Sequence, residues 1–292
     1  MSDVNIFWDP MGFELDSMGT KRLHGISDGD TPIIRVSIRM LSIDTPEKSY
    51  NGRPSRQDEN LAQLAGWINA GQAPIDDDLA EYMVPRLSGG SAGTLQETQG
   101  KKASEVFQQL LDEKLTKPSG AKRQLYVRTA DQPFDSYGRL LAYVSPRYTK
   151  EELKNLSPGE RATFNLLMVK SGWAASFLIY PSLPKHRDLV LLHNAAWEAF
   201  DNRKGAWEEP NNLTGYEFRM CVKLFKITKK LVAGRKLSSS ERFSWISRFC
   251  TDLTTREIYY PQKYFKVKPY NRVFTWSKDV SEAVGMMNLK TP

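Results

Sequence analysis

The stretch Ile33–Leu41 constrains this chain more than any other. In IIRVSIRML, Ile34, Val36, Ile38 and Met40 fall on one side and Arg35, Ser37 and Arg39 on the other. Period two over nine residues predicts a β-strand with one buried and one wet face. Such a strand needs a sheet that packs one face on a core, which excludes a purely helical fold. Two more strands are expected at 124–128 and 139–144, separated by the turn-rich DQPFDSYG. Helical spacing is expected over Lys101–Leu115, over Phe164–Ser171 with Gly172 as a left-handed cap, and over Leu189–Phe200. Short strands followed by helices give an α+β plan.

Two segments interrupt this plan. Residues 51–100 carry an Asp76-Asp77-Asp78 run and end in SGGSAGT, and Leu61–Ala70 is expected to be a short helix within them. Residues 146–161 form a smaller polar insertion with a helix near Glu151–Leu156. After Trp207, the EEPNN stretch reads as a linker into a C-terminal module. There, Glu217–Ile227, Phe243–Cys250, Glu257–Tyr260 and Tyr264–Val267 look β-like. The organisation expected is an N-terminal segment 1–19, a main domain 20–207 with the insertion, and a small β-rich basic module 208–292.

Charge separates the two parts. Of 41 Lys and Arg against 34 Asp and Glu, residues 211–292 hold 16 cations and 6 anions, net +10, and the rest of the chain is net −3. A basic tail on a near-neutral body points to a polyanionic partner. Two cysteines and three scattered histidines (24, 186 and 193) leave no material for a disulfide scaffold or a zinc cluster, and His186 and His193 read as structural. No apolar run is long enough to span a membrane. The first sixteen residues carry Asp3, Asp9, Glu14 and Asp16, which argues against a secretory leader and for a cytoplasmic address.

Three short pieces carry possible chemistry: Asp28-Gly29-Asp30-Thr31; the run from Arg39 to Asp44-Thr45-Pro46-Glu47; and Asp135-Ser136-Tyr137-Gly138-Arg139. Asp30, Asp44 and Glu47 are hard oxygen donors suited to Ca²⁺ or Mg²⁺. Arg39 and Arg139, each at a strand edge, can grip phosphate with planar forks. Taken singly, DGDT is a common turn, Asp-Thr-Pro-Glu a helix or turn start, and Arg39 a solvated strand residue. Taken together they are the parts that phosphodiester hydrolysis requires.

In order and spacing, DGDT, R-x4-DTPE and YGR-x-LAY, followed by helices ending near a Trp, resemble the staphylococcal nuclease (thermonuclease) family over roughly residues 20–207. The resemblance implies a five-stranded oligonucleotide-binding barrel with three helices, and a Ca²⁺-dependent endonuclease acting on DNA and RNA that leaves 5′-hydroxyl and 3′-phosphate ends. It assigns Asp30, Asp44 and the Thr45 carbonyl to the metal, and Glu47 to the attacking water. Arg39 and Arg139 fall to phosphate and Tyr137 to the nucleotide pocket; Tyr180 is the best candidate for a second pocket tyrosine. The interval from Asp30 to Arg39 is shorter than in the best-known member, so the hairpin between those strands is expected to be clipped; Ser136 stands where that member has a lysine contacting the nucleotide, so weaker terminal-phosphate binding is expected. The expected activity is metal-dependent hydrolysis of DNA or RNA with the tail gripping nucleic acid. The alternative is a non-catalytic nucleic-acid- or protein-binding module, with residues 208–292 as a docking surface for a protein partner.

Overall fold

The alternating run at 33–41 forms two strands, not one, because the chain changes partner midway. In the computed structural model, which describes Met18 and residues 20–50 and 52–290, the elements in chain order begin with β1 (Leu23–Asp28), β2 (Thr31–Ile34), β3 (Ile38–Met40) and β4 (Ile43–Asp44). The helices α1 (Pro54–Asn69), α2 (Asp77–Leu87) and α3 (Ala92–Leu115) follow. Next come β5 (Leu125–Phe134), β6 (Leu140–Pro146), α4 (Lys150–Asn155), α5 (Phe164–Lys170), β7 (Ala175–Ser176), β8 (Leu178–Ile179) and α6 (His186–Asp201). The C-terminal part holds α7 (Gly215–Val232), α8 (Ser239–Phe243), β9 (Arg248–Asp252), β10 (Ile258–Tyr259), β11 (Arg272–Trp276) and α9 (Val280–Met286). The expected N-terminal segment lies, Met18 apart, outside the described residues. No helix among the described residues is long and apolar enough to cross a membrane.

The described residues form two compact units, one of residues up to 39 with 129–142, and one of residues 40–128 with those from 143 onward. In the first, β1 and β2 make an antiparallel hairpin pairing Leu23 with Ile34 and Asp28 with Thr31, and Gly29-Asp30 is its turn. The interval from Asp30 to Arg39 therefore holds β2, the break at 35–37 and the start of β3. The break at 35–37 lets β2 pair with β1 while β3 joins the sheet ordered β3-β6-β5. The strands lie in sheets of two, four, three and two, so the molecule is mixed α and β.

The second unit contains both hydrophobic clusters. The expected insertion is mostly helical. Pro54 at the first helical position opens α1, where its missing N–H costs nothing. Leu61, Leu64, Ala65 and Ile68 then recur at three and four and are buried. Leu61 and Leu64 are fully enclosed, worth about 1.5–3 kcal/mol each. Leu79, Met83 and Leu87 of α2 join the same cluster. The Gly/Ser-rich stretch ends at the start of α3, which runs on through the expected helix to Leu115. Helices α4, α5 and α6 stand where expected, and Gly172 takes φ +78° after α5. The buried stripe of α6 is Leu192, Ala195, Ala196 and Ala199; Trp197 stays 49 % exposed.

The C-terminal segment is not β-rich throughout. Glu217–Ile227, expected as a strand, is the body of α7. Residues of this helix are buried on most sides, from Tyr216 through Phe218, Cys221, Leu224 and Phe225 to Ile227, which erases the one-sided stripe that helix recognition depends on. Tyr264–Val267, also expected as a strand, falls in a 3-10 turn at Pro261–Lys266, and Phe243 closes α8 instead of opening a strand. The expected linker runs into buried Asn212, Leu213 and Thr214. Strand β11 pairs in parallel with β8, Val273 opposite Leu178, and in antiparallel with β9, giving a sheet ordered β10-β9-β11-β8. Residues 208–292 therefore share a sheet and both cores with the segment before them.

A buried carboxylate locks α7 into this frame. Thr214 and Glu217 form a capping box: the Glu217 carboxylate accepts from the Thr214 N–H and hydroxyl, each at 2.9 Å. The same carboxylate accepts from the hydroxyls of Tyr82 and Tyr264 at 3.1 Å and from Arg272 at 3.2 Å. Burial pushes the Glu217 carboxyl up, but Arg272 and then the Thr214 bonds outweigh it, holding it below its ordinary range. Glu217→Gln should leave Arg272 uncompensated and cost about 3–5 kcal/mol, lowering Tm by roughly 10 °C. A shift under about 2 °C in a thermal scan would refute this role. Because the folded-state pKa lies below the unfolded one, the contribution is present above the ordinary carboxylate range and lost as pH falls through the folded value. The Gln variant should therefore lose less stability than the wild type between about pH 6 and pH 3.

Candidate active site

The Asp-Thr-Pro-Glu segment lies in the second unit, delivered by a turn. Ser42 adopts left-handed φ of 62° and passes the chain from β3 into β4, while its carbonyl accepts from the Phe177 N–H at 2.8 Å. Strand β4 pairs with β7, setting Asp44 opposite Ala175. Behind the turn, Asn165 of α5 donates to the Leu41 carbonyl at 2.9 Å and accepts from the Val144 N–H at 3.0 Å. Helix α3 holds the other end. The Glu47 N–H donates to Gln96 Oε1 at 2.9 Å, and Gln96 Nε2 donates to the Leu213 carbonyl at 2.6 Å. Gly100 permits this approach, since a Cβ there would stand 2.7 Å from the Glu47 carbonyl oxygen.

One guanidinium gathers the two carboxylates. Arg219 of α7 reaches Asp44 Oδ1 at 3.1 Å and Oδ2 at 3.0 Å through one nitrogen, and bonds Glu47 Oε1 through the other. The Asp44 side chain is 2 % exposed and Arg219 25 %. Burial works against the Arg219 charge, and Asp44 followed by Glu47 more than offsets it, raising the guanidinium above its ordinary value. Gly215, at the start of the same helix, faces the Thr45 carbonyl and Asp44; a Cβ would stand 2.7 Å from Asp44 Oδ2. The cavity beside Asp44, lined by Pro46, Thr214 and Gly215, is about 10 Å³, room for no more than one water.

This arrangement does not fit the expected cation. Calcium takes about six to eight oxygens at roughly 2.3–2.6 Å. Here both Asp44 oxygens and Glu47 Oε1 accept from Arg219, and Thr45 and Asp44 face Gly215 with less than a methyl group of space between. Among the described residues, no three His, Cys, Asp or Glu side chains are grouped to hold a metal.

Two more cations share this face of α7. Tyr216, Arg219 and Lys223 recur at three and four. The Arg248 guanidinium, from β9, lies 5.4 Å from the Tyr216 ring centre, 5.5 Å from that of Phe177 and 4.1 Å from that of Trp276. Burial and then Arg248 and Arg219 hold the Lys223 amine below its usual value, and burial foremost holds Arg248 down as well.

The remaining expected residues separate as follows. Asp30, Arg39, Tyr137 and Arg139 belong to the first unit. Asp30 sits in the β1–β2 turn and accepts from the Thr31 hydroxyl at 3.0 Å. Arg139 is held by Asp135, which takes its Nε at 2.8 Å and its backbone N–H at 3.0 Å. The Tyr137 N–H donates to the same carboxylate at 2.9 Å, and its ring, 79 % exposed, lies 5.3 Å from the Arg139 guanidinium. Burial raises the Asp135 carboxyl, and the bonds from Arg139 and Tyr137 bring it below the usual range. Tyr180 is instead a core residue, 6 % exposed, with its hydroxyl donating to Glu282 of α9 at 2.9 Å. His193 bonds Asn271 at 2.8 Å beside the Tyr270 ring, a packing role as expected.

The sequence reading missed Arg219, Gly215, Gln96 and Arg248, and it named Asp135 within a motif without giving it a role. The Thr214-x-x-Glu217 capping box was the one local signal that a helix begins just before Arg219.

No curated protein sequence matches the chain. Residues 37–209 match the sequence profile of the staphylococcal nuclease homologue family, a span that covers the Asp44–Glu47 segment and the Arg139 turn. With more than half of its length matched in this way, the chain belongs to the staphylococcal nuclease homologue family.

Proposed function

We infer that this protein hydrolyses phosphodiester bonds of DNA or RNA, with the oligonucleotide-binding barrel of its family as its scaffold. The observation that carries the reading is the convergence of Asp44 and Glu47 on Arg219. A carboxylate pair is held rigidly by β4, Gln96 and α7, with Glu47 about one-quarter exposed beside a fixed positive charge. Glu47 is the group that accepts the proton of the attacking water, and Arg219 holds its side chain in place. The roles of Asp30, Arg39, Arg139 and Tyr137 come from the motif resemblance, and Asp135 is the residue that orients Arg139 toward such a role. A groove of about 640 Å³ in the same unit is lined in part by Arg53, Arg56 and Lys229, with Glu59 among them.

The competing reading, a nucleic-acid-binding module that does not cut, is favoured by Arg219 itself, because a tethered guanidinium stands where the family resemblance puts a metal. Incubating the full chain with plasmid and with single-stranded RNA, in Ca²⁺, Mg²⁺ or EDTA, decides between them. Binding without cleavage in every condition would refute the hydrolase. If cleavage occurs, Glu47→Gln should lose about 10²–10⁴ in rate, and Arg139→Lys about 10²–10³.

The calcium expectation has its own test. Arg219→Met should destabilise the fold, because the buried Asp44 carboxylate loses the guanidinium that accompanies it, by about 3 kcal/mol. If Asp44, Thr45 and Glu47 can take Ca²⁺ once the guanidinium is gone, millimolar Ca²⁺ should raise the Tm of this variant and leave the wild type nearly unchanged. Equal Ca²⁺ responses in both proteins would rule out competition between Arg219 and the ion.

A further inference from the structure

Beside the acidic pair lies a surplus of positive charge. Arg219 is balanced by Asp44 and Glu47, yet Arg248 and Lys223 form no ion pair among the described residues. The Arg248 Nε is buried without a hydrogen-bond acceptor. Its guanidinium is held by the rings of Phe177, Tyr216 and Trp276, which offset part of the cost of burying it but supply no counter-charge. Lys223 lies one turn beyond Arg219 on the same face of α7. A ring-clamped guanidinium, an ammonium one turn along α7 and an Arg219 already aimed at two carboxylates amount to three neighbouring cations against two anions. Their mutual repulsion is relieved by one further anion.

We propose that Arg219, Lys223 and Arg248 seat a phosphate of the bound nucleic-acid strand next to Asp44 and Glu47. Residues 208–292 thereby supply part of the substrate site itself, in addition to any general attraction from their net charge. Phosphate is the fitting class because a guanidinium fixed in its plane offers two parallel N–H donors and a lysine adds a point charge. The proposal rests on the nucleic-acid reading above and deepens it.

The experiment is a fluorescence-anisotropy titration of a labelled single-stranded oligonucleotide with the full chain in EDTA, repeated over a salt series. Lys223→Gln and Arg248→Gln should each weaken binding about tenfold and flatten the slope of log K against log salt by about 1. Lys236→Gln, an equal loss of charge at an exposed position of the same segment, should weaken binding less than about threefold, since a distant charge acts only through the screened field. Arg248→Lys keeps the charge but loses the planar fork, and should recover part of the affinity that Arg248→Gln loses. Should it fall as far as Arg248→Gln, with Tm dropping in parallel, Arg248 is a packing residue and the proposal fails. It fails equally if Lys223→Gln and Arg248→Gln match Lys236→Gln. Wild-type protein that binds but never cuts removes the hydrolase reading and leaves this seat in place; wild-type protein that cuts while its variants bind unchanged removes the seat alone. Wild-type protein that binds no oligonucleotide overturns both.

Discussion

Everything near the acidic pair depends on one buried ion pair, Glu217 with Arg272. The carboxylate is 2 % exposed and the guanidinium 5 %. Five protein donors converge on that carboxylate, so neither the helix start at Thr214 nor the turn at Tyr264 can shift without stranding a charge. Glu217 is two residues from Arg219 and two from Gly215. Fixing it fixes the first turn of α7, and through that turn both the guanidinium that binds Asp44 and the glycine that lies against Thr45. Arg272 is at the same time the first residue of β11, so the anchoring charge is itself part of the sheet that continues β8.

Signals local in sequence were legible. The Asp-Thr-Pro-Glu segment, the Asp135–Arg139 turn and the helices α4 to α6 have short-range causes: capping residues, a carboxylate folding back on its own turn, apolar residues at three and four. What escaped notice has long-range causes. Helix α7 reads as a strand because it is apolar around most of its circumference, a consequence of being packed between α1 and the C-terminal sheet. The split between β2 and β3 follows from a change of pairing partner that no window of nine residues encodes. Tyr180 could be a pocket residue or a core residue on its sequence alone; the hydroxyl bond to Glu282, more than a hundred positions away, fixes it in the core.

Charge illustrates the same division. The net +10 of residues 211–292 is visible by counting, and it suggested an appended module with an electrostatic task. The structure distributes that charge differently. Arg272 is buried in the core and Arg219 neutralises acids from residues 44–47, while Lys263 reaches Asp76 at 3.1 Å and Asp78 at 2.5 Å. A count of cations therefore overstates what the segment presents to solvent, and the residues that remain unpaired near the acids matter more than the total.

The parallel pairing of β8 with β11 joins residues 178–179 to residues 273–274. Parallel contacts at such separation form late, because the intervening chain must first be closed into a loop. During synthesis, Asp44 and Glu47 emerge long before Arg219, and the anchor of α7 is complete only once Arg272 has been made and has reached Glu217. A nascent chain thus carries those carboxylates without Arg219 until α7 has been made, and the strand that anchors α7 comes later still. Assembly order alone keeps the incomplete chain from presenting a finished acidic centre.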